Sequence, residues 1–259
     1  MISEQHKFIF IHIIKTGGTS VESVLKKMHT EIFEHPHKIL GNIQTCIPRG
    51  VDNKGNVNFS AKGKTAECVS KLGAEAMWVY EREKKSHITA KQYNDFLYNK
   101  KLYDIWDSYF KFAFVRNPWS YMVSLYTMFV HRPFFKRKHK HFKKKPPQDF
   151  CDFVKVFANR DEPFCPLQDQ HMLNQIDWIT DASGKVIIDY IGKLENLQND
   201  FDNICDKINI SRVKIPRLNS SHRQKLHKNF KDYYDNKTID IVGEIFKRDI
   251  EYFGYTFEK

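Results

Sequence analysis

The chain has 259 residues, 41% of them hydrophobic and 28% charged, with a formal net charge of +11. That balance describes a globular protein with a sizeable core and excludes wholesale disorder, and no apolar run reaches the roughly 18 residues of a membrane-spanning helix. The charge implies a polyanionic partner, whether nucleic acid, an acidic membrane surface, an acidic glycan or a heavily phosphorylated small molecule, without choosing among them.

The opening "MISEQHKFIFIHII" has an acidic residue and a histidine before a short β-like run and no small-residue cleavage site after it, so it does not read as a signal peptide and a cytoplasmic location is expected. Residues 7 to 14 are rich in Ile and Phe without polar alternation, as befits a strand of a parallel sheet buried on both faces. A helix follows from about Thr19 to Met28, then "EIFEH" as a second short strand. From Gly41 to Lys64 the chain is rich in Gly, Asn and Lys with little periodicity, which reads as a surface excursion. The hydroxyl of Thr89 and the helical spacing of Tyr93, Phe96 and Leu97 predict a helix beginning near Thr89, with His87 just before it.

"YFKFAFVRNPWSYMVSLYTMFV" repeats the opening arrangement: an aromatic and β-branched strand, a polar turn, Pro118 at the first helical turn and an amphipathic helix. The basic run from His131 to Lys145 reads as a loop or frayed helix end. It suits a solvated surface, an acidic-glycan groove or, through Phe134, Phe135 and Phe142, a nucleic-acid contact. "KVIIDYIGKLENLQNDFDNICDKI" predicts a strand and then a helix, and "TIDIVGEIFKRDIEYFGYTF" a closing amphipathic helix with an aromatic tail. Neither a repeat nor a linker interrupts the chain. The expectation is a single α/β domain over 1–259 with a central, mainly parallel sheet, an excursion at about 41–64 and a basic segment at about 131–147.

The five cysteines, Cys46, Cys68, Cys151, Cys165 and Cys205, are scattered and form no Cys-x-x-Cys pair, so they read as reduced and structural and no metal is expected. The chemistry concentrates in the two strand-to-helix turns. Gly17 and Gly18 let the main chain approach an anion, Thr16, Thr19 and Ser20 add hydroxyl donors, and Lys15 adds a point charge. Lys15 precedes the glycines, which is the wrong order for a nucleotide-hydrolysing P-loop. The plain alternative is a turn with Thr19 as N-cap and Lys15 solvated. In the second turn Arg116 and Ser124 are eight residues apart, nearly on one helix face at 3.6 residues per turn, so a guanidinium and a hydroxyl can converge on one phosphate.

"FIHIIKTGGTS" together with "FVRNPWSYMVSLY" resembles the two nucleotide loops of the sulfotransferases that use 3′-phosphoadenosine-5′-phosphosulfate, especially the carbohydrate sulfotransferases. The resemblance extends to "SHITAKQ", "DYIGKLENLQNDF" and "DIEYFGY". It departs at Ile14, where the family usually has proline. What it implies is a P-loop-kinase-like fold, a first loop (Lys15 to Ser20) on the 5′-phosphosulfate and a second (Arg116, Ser124) on the 3′-phosphate. It further implies a late loop near Arg223 closing over the nucleotide, a hydroxyl acceptor, most naturally on a carbohydrate, and no metal. Sulfuryl transfer needs a base for the acceptor proton, and His87 is the leading candidate, before His12 and Glu22. Lys15 would offset charge on the leaving phosphate. Asp189, at the end of "KVIID", reads as structural. The rivals are a P-loop kinase or hydrolase, which would need magnesium, and a basic nucleic-acid-binding protein, which has no use for two phosphate loops.

Overall fold

A computed structural model describes residues 1–3, 5–33, 47–51, 57–60, 87–99, 101–131, 147–159, 174–216, 218 and 229–258. They belong to two compact units, Met1–Val24 with Ser86–Lys259, and Leu25–Lys85. Most of the basic segment, including Lys143 to Lys145, lies outside the described residues, as does Arg223.

In the larger unit a four-stranded sheet runs in the order β1 (Ile2–Ser3), β2 (Phe8–Ile11), β5 (Phe110–Val115), β6 (Tyr190–Lys193). β1 pairs antiparallel with β2, whereas β2 with β5 and β5 with β6 are parallel. The mixed α/β architecture and mainly parallel sheet match the expectation. All four residues of β2 are buried, which is why its sequence is apolar throughout rather than alternating. Register aligns Phe8 with Phe110 and Phe10 with Phe112, so phenylalanines share one face, Phe10 and Phe112 stacking at 5.1 Å. The opposite face carries Ile9, Ile11, Ala113 and Val115 in one core with Trp178 and residues of two helices.

Those helices are α2 (Ala90–Asn99), which contributes Tyr93 and Leu97, and α3 (Tyr103–Ser108), which contributes Trp106. Helix α2 is launched by a reciprocal capping box: the Gln92 N–H donates to Thr89 Oγ1 at 3.2 Å and the Thr89 N–H to Gln92 Oε1 at 3.0 Å, worth about 1 kcal/mol. A second core joins α4 (Pro118–His131), α5 (Phe150–Ala158) and α7 (Asn236–Ile245) through Tyr121, Leu125, Phe153, Val242 and Phe246. Helices α6 (Leu197–Lys207) and α8 (Lys247–Phe253) complete the unit. The closing segment is thus two helices broken at Phe246 rather than one. Among the described residues no helix is long and apolar enough to cross a membrane.

Three further expectations change. Helix α1 (Gly18–Phe33) continues through Glu31, Ile32 and Phe33, so "EIFEH" does not begin a second strand: three residues read as β lie in register with a helix already running. "KVIID" is not a strand either, since β6 begins at Tyr190 and Val186 makes only an isolated bridge to Thr180. The excursion, in the smaller unit, contains an antiparallel pair, β3 (Ile47–Val51) and β4 (Val57–Ser60). Pro48 and Gly50 hid β3 from the sequence, and the register shifts between those two residues, where a sheet tolerates proline.

Candidate active site

The carboxyl ends of β2, β5 and β6 meet. Arg116 Nη1 donates to the Lys15 carbonyl at 3.3 Å, and the Asn117 N–H donates to Glu195 Oε1 at 2.8 Å. A Cβ on Gly17 would lie 2.7 Å from Leu194 Cδ1, just past β6. In an open α/β sheet such an edge is where ligands bind.

The first loop turns on two left-handed residues, Lys15 (φ 62°) and Gly17 (φ 87°). Glycine adopts that conformation freely. Lys15 does so at a cost of about 1 kcal/mol or more, the kind of strain that gathers where backbone is aimed at a ligand. The Thr16 hydroxyl is buried and donates to the Ile13 carbonyl at 2.9 Å, so Thr16 would serve an anion through its backbone N–H rather than its side chain. Helix α1 starts at Gly18, with the Gly17 carbonyl accepting from the Ser20 and Val21 N–H groups. Gly17 rather than Thr19 therefore occupies the cap. It brings no capping oxygen of its own, and the first-turn N–H groups point out of the helix end. Thr19 is exposed, while the buried Ser20 Oγ accepts the Leu218 N–H at 3.1 Å.

Gly18 is required for a different reason: a Cβ there would lie 2.0 Å from His12 Cδ2 and 2.2 Å from Nε2. The His12 ring rests on the first residue of the helix. It extends the phenylalanine face of β2, stacked 5.7 Å from Phe10, and its Nδ1 is 2.9 Å from Glu22 Oε1, one turn along α1. Because a carboxylate only accepts, the proton of that bond sits on Nδ1. His87 reaches in from the start of α2, its Nδ1 3.1 Å from the His12 carbonyl. A carbonyl also only accepts, so neutral His87 carries its proton on Nδ1 and its lone pair on Nε2. The two imidazoles meet edge to face at 4.7 Å, and Trp178 lies 6.2 Å from His87. Three candidates for one base, His87, His12 and Glu22, thus form one cluster beside the turn from Lys15 to Ser20.

In the second turn Asn117 caps α4, its Oδ1 accepting from the Trp119 and Ser120 N–H groups at 3.1 and 3.3 Å, with Pro118 in the first turn. The Arg116 guanidinium is held by Ser120 Oγ, 2.9 Å from Nε and 2.7 Å from Nη2. Ser124 lies one turn further along and half-buried, and no described hydrogen bond joins it to Arg116. Burial pulls the Arg116 pKa below its ordinary value, and Glu195 acts in the opposite sense.

A family model described as the sulfotransferase family matches residues 1–256. The chain belongs to the sulfotransferase family of enzymes. It is 26% identical over 171 residues to carbohydrate sulfotransferase 10 of Xenopus laevis, a match covering 58% of this chain and 48% of that protein. It is 32% identical over 122 residues to an uncharacterized protein of Archaeoglobus fulgidus, covering 47% of this chain and 83% of that one. The chain thus spans about half the length of the carbohydrate sulfotransferase.

In this sulfotransferase, sequence reasoning missed Ser120, Glu195, Gln175 and Asp249. Ser120 had a signal, its i,i+4 spacing from Arg116. Glu195 had none, because its partners, the Asn117 N–H and Tyr255 at 3.2 Å, are 78 and 60 residues away. Asp189 accepts from the Lys111 N–H at 2.7 Å and pairs with its ammonium at 3.0 Å, an arrangement that ties the entry of β6 to β5.

Proposed function

We propose that this chain transfers a sulfuryl group from 3′-phosphoadenosine-5′-phosphosulfate to a hydroxyl of a carbohydrate. The observation that carries the reading is the contact of Arg116 with the Lys15 carbonyl, which brings the two strand-to-helix turns side by side and so supports one ligand with phosphates at both its 5′ and 3′ positions. The turn at Gly17 and Gly18 suits such a ligand through the N–H groups of its helix N-terminus, while its glycines answer to packing, since side chains there would collide with Leu194 and His12. In this reading the backbone N–H groups of Thr16 to Thr19, with Ser20 beside them, take the 5′-phosphate, and Arg116 takes the 3′-phosphate with Ser124 further along α4.

The transfer is an in-line displacement. The bond from sulfur to the bridging oxygen breaks as the acceptor oxygen bonds to sulfur, and the acceptor proton passes to His87 Nε2. In this reading the Lys15 ammonium offsets charge growing on the bridging oxygen. Glu22 holds the His12 ring, and the His12 carbonyl holds the His87 tautomer, so the nitrogen offered to the acceptor is the basic one. The carbohydrate acceptor is supported by the likeness to the Xenopus enzyme and by the +11 charge, which suits an acidic glycan.

Thermal denaturation tests the reading. Adenosine 3′,5′-bisphosphate without metal should raise the melting temperature more than ATP with magnesium at equal concentration, because preferential binding stabilises the native state. The opposite order would favour a phosphoryl-transfer enzyme.

A further inference from the structure

Arg116 is held twice, by side chain and by backbone. Its N–H donates to Gln175 Oε1 at 2.7 Å, and its carbonyl accepts from Gln175 Nε2 at 2.7 Å. The Gln175 amide thus acts as a peptide group would, adding one rung to the sheet where the ladder of β5 ends at Val115. Gln175 is in turn anchored by Asp249 of α8. Oδ2 accepts the Gln175 N–H at 2.8 Å and its Nε2 at 3.3 Å, and Oδ1 accepts the Ile176 N–H at 2.8 Å. Both Gln175 and Asp249 are 0% exposed, so neither touches a ligand directly.

We infer that Gln175, fixed by Asp249, is a positioning residue that sets the Arg116 guanidinium for a 3′-phosphate and thereby sets selectivity for a 3′-phosphorylated nucleotide. The inference rests on the proposed reading of Arg116. Its physical basis is that a long arginine side chain can be aimed only as well as its own Cα is held. The residue after a strand end lacks a ladder partner unless a side chain supplies one. A buried amide with donor and acceptor both engaged has one low-energy placement, because every alternative leaves a buried polar group unpaired. Small errors of placement are costly at a site built on charge-assisted hydrogen bonds.

The experiment compares calorimetric affinities for adenosine 3′,5′-bisphosphate and adenosine 5′-monophosphate in wild type, Gln175→Asn, Gln175→Leu, Asp249→Asn and Arg116→Ala, each checked for folding by circular dichroism. The expected result is that the preference for the bisphosphate falls about tenfold in folded Gln175 variants, falls less in Asp249→Asn, and is lost in Arg116→Ala. A purely structural role would lower melting temperature and weaken both ligands alike, and an unchanged preference in a folded Gln175 variant overturns the inference while leaving Arg116 as the 3′-phosphate residue. An unchanged preference in Arg116→Ala overturns both. Should the Gln175 variants not fold, amide hydrogen exchange in the wild type decides: the Arg116 N–H should be as protected as the core of β5, and rapid exchange there overturns the clamp.

Discussion

His12 links an acidic and a basic partner across the site, its ring nitrogen Nδ1 2.9 Å from Glu22 Oε1 and its carbonyl 3.1 Å from His87 Nδ1. The two histidines are therefore not equivalent. The ring of His12 is committed to Glu22 and to the face of Gly18, whereas His87 is aligned by a backbone carbonyl that does not titrate. His87→Ala should lower turnover by about 10²- to 10⁴-fold with adenosine 3′,5′-bisphosphate affinity retained, and Glu22→Gln should cost about tenfold. Steady-state kinetics with a sulfated-glycan precursor reads both. A larger loss in Glu22→Gln than in His87→Ala would move the base to His12.

Gly18 bears on the same cluster. In Gly18→Ala the new methyl meets the His12 ring at 2.0 Å, so the ring must swing off Glu22. Overpacking of this kind costs about 1–3 kcal/mol. Chemical denaturation should show that loss, and Gly18→Ala combined with His12→Ala should recover most of the stability.

Lys15 is expected to act chiefly in the transition state. Lys15→Ala should lower kcat by at least tenfold more than it raises the dissociation constant of adenosine 3′,5′-bisphosphate. Pre-steady-state measurement of the transfer step separates the two. If only the nucleotide Michaelis constant rises, Lys15 is a binding residue.

Burial raises the Asp249 carboxyl to about 6, against hydrogen bonds from Gln175 and Ile176 that lower it and with a further upward push from Asp177. Between the ordinary value of 3.8 and about 6 the native state binds this proton more readily than the unfolded chain. The group's contribution to stability is therefore greatest below that window and falls as pH rises through it, by up to about 3 kcal/mol. Asp249→Asn does not titrate, so the wild-type advantage over it should shrink from pH 4 to about pH 7 and then level. Urea unfolding across that range checks the sign; an advantage growing with pH would mean that the N–H donors outweigh burial.

Local pattern carried much of the fold. The apolar runs of β2 and β5, the Thr89 and Gln92 cap, the placement of Pro118 and the Lys-Thr-Gly-Gly turn all act within a few residues, through steric limits on φ and ψ and through period-2 or period-3.6 burial, and these are written in consecutive letters. The same locality misled at "EIFEH" and "KVIID", where β-forming residues sit in a continuing helix and in an irregular approach to β6, because tertiary context overrides a weak intrinsic preference.

For the site, the residue types at Lys15, Gly17, Gly18 and Arg116 were legible as anion-binding chemistry, and His87, His12 and Glu22 stood as alternatives. Their joining into one cluster, the choice of Ser120 as holder of the Arg116 guanidinium in the described contacts, and the clamp from Asp249 through Gln175 depend on register between parallel strands and on where α8 packs. Gln175 and Asp249 are 74 residues apart, and Gln175 and Arg116 are 59 apart. The sequence determined which groups were available to hold an anion and to take a proton. Only the folded sheet, by bringing three strand ends to one edge, decided which of them touch, since hydrogen bonds between residues distant in the chain follow from packing and have no periodic trace in the sequence.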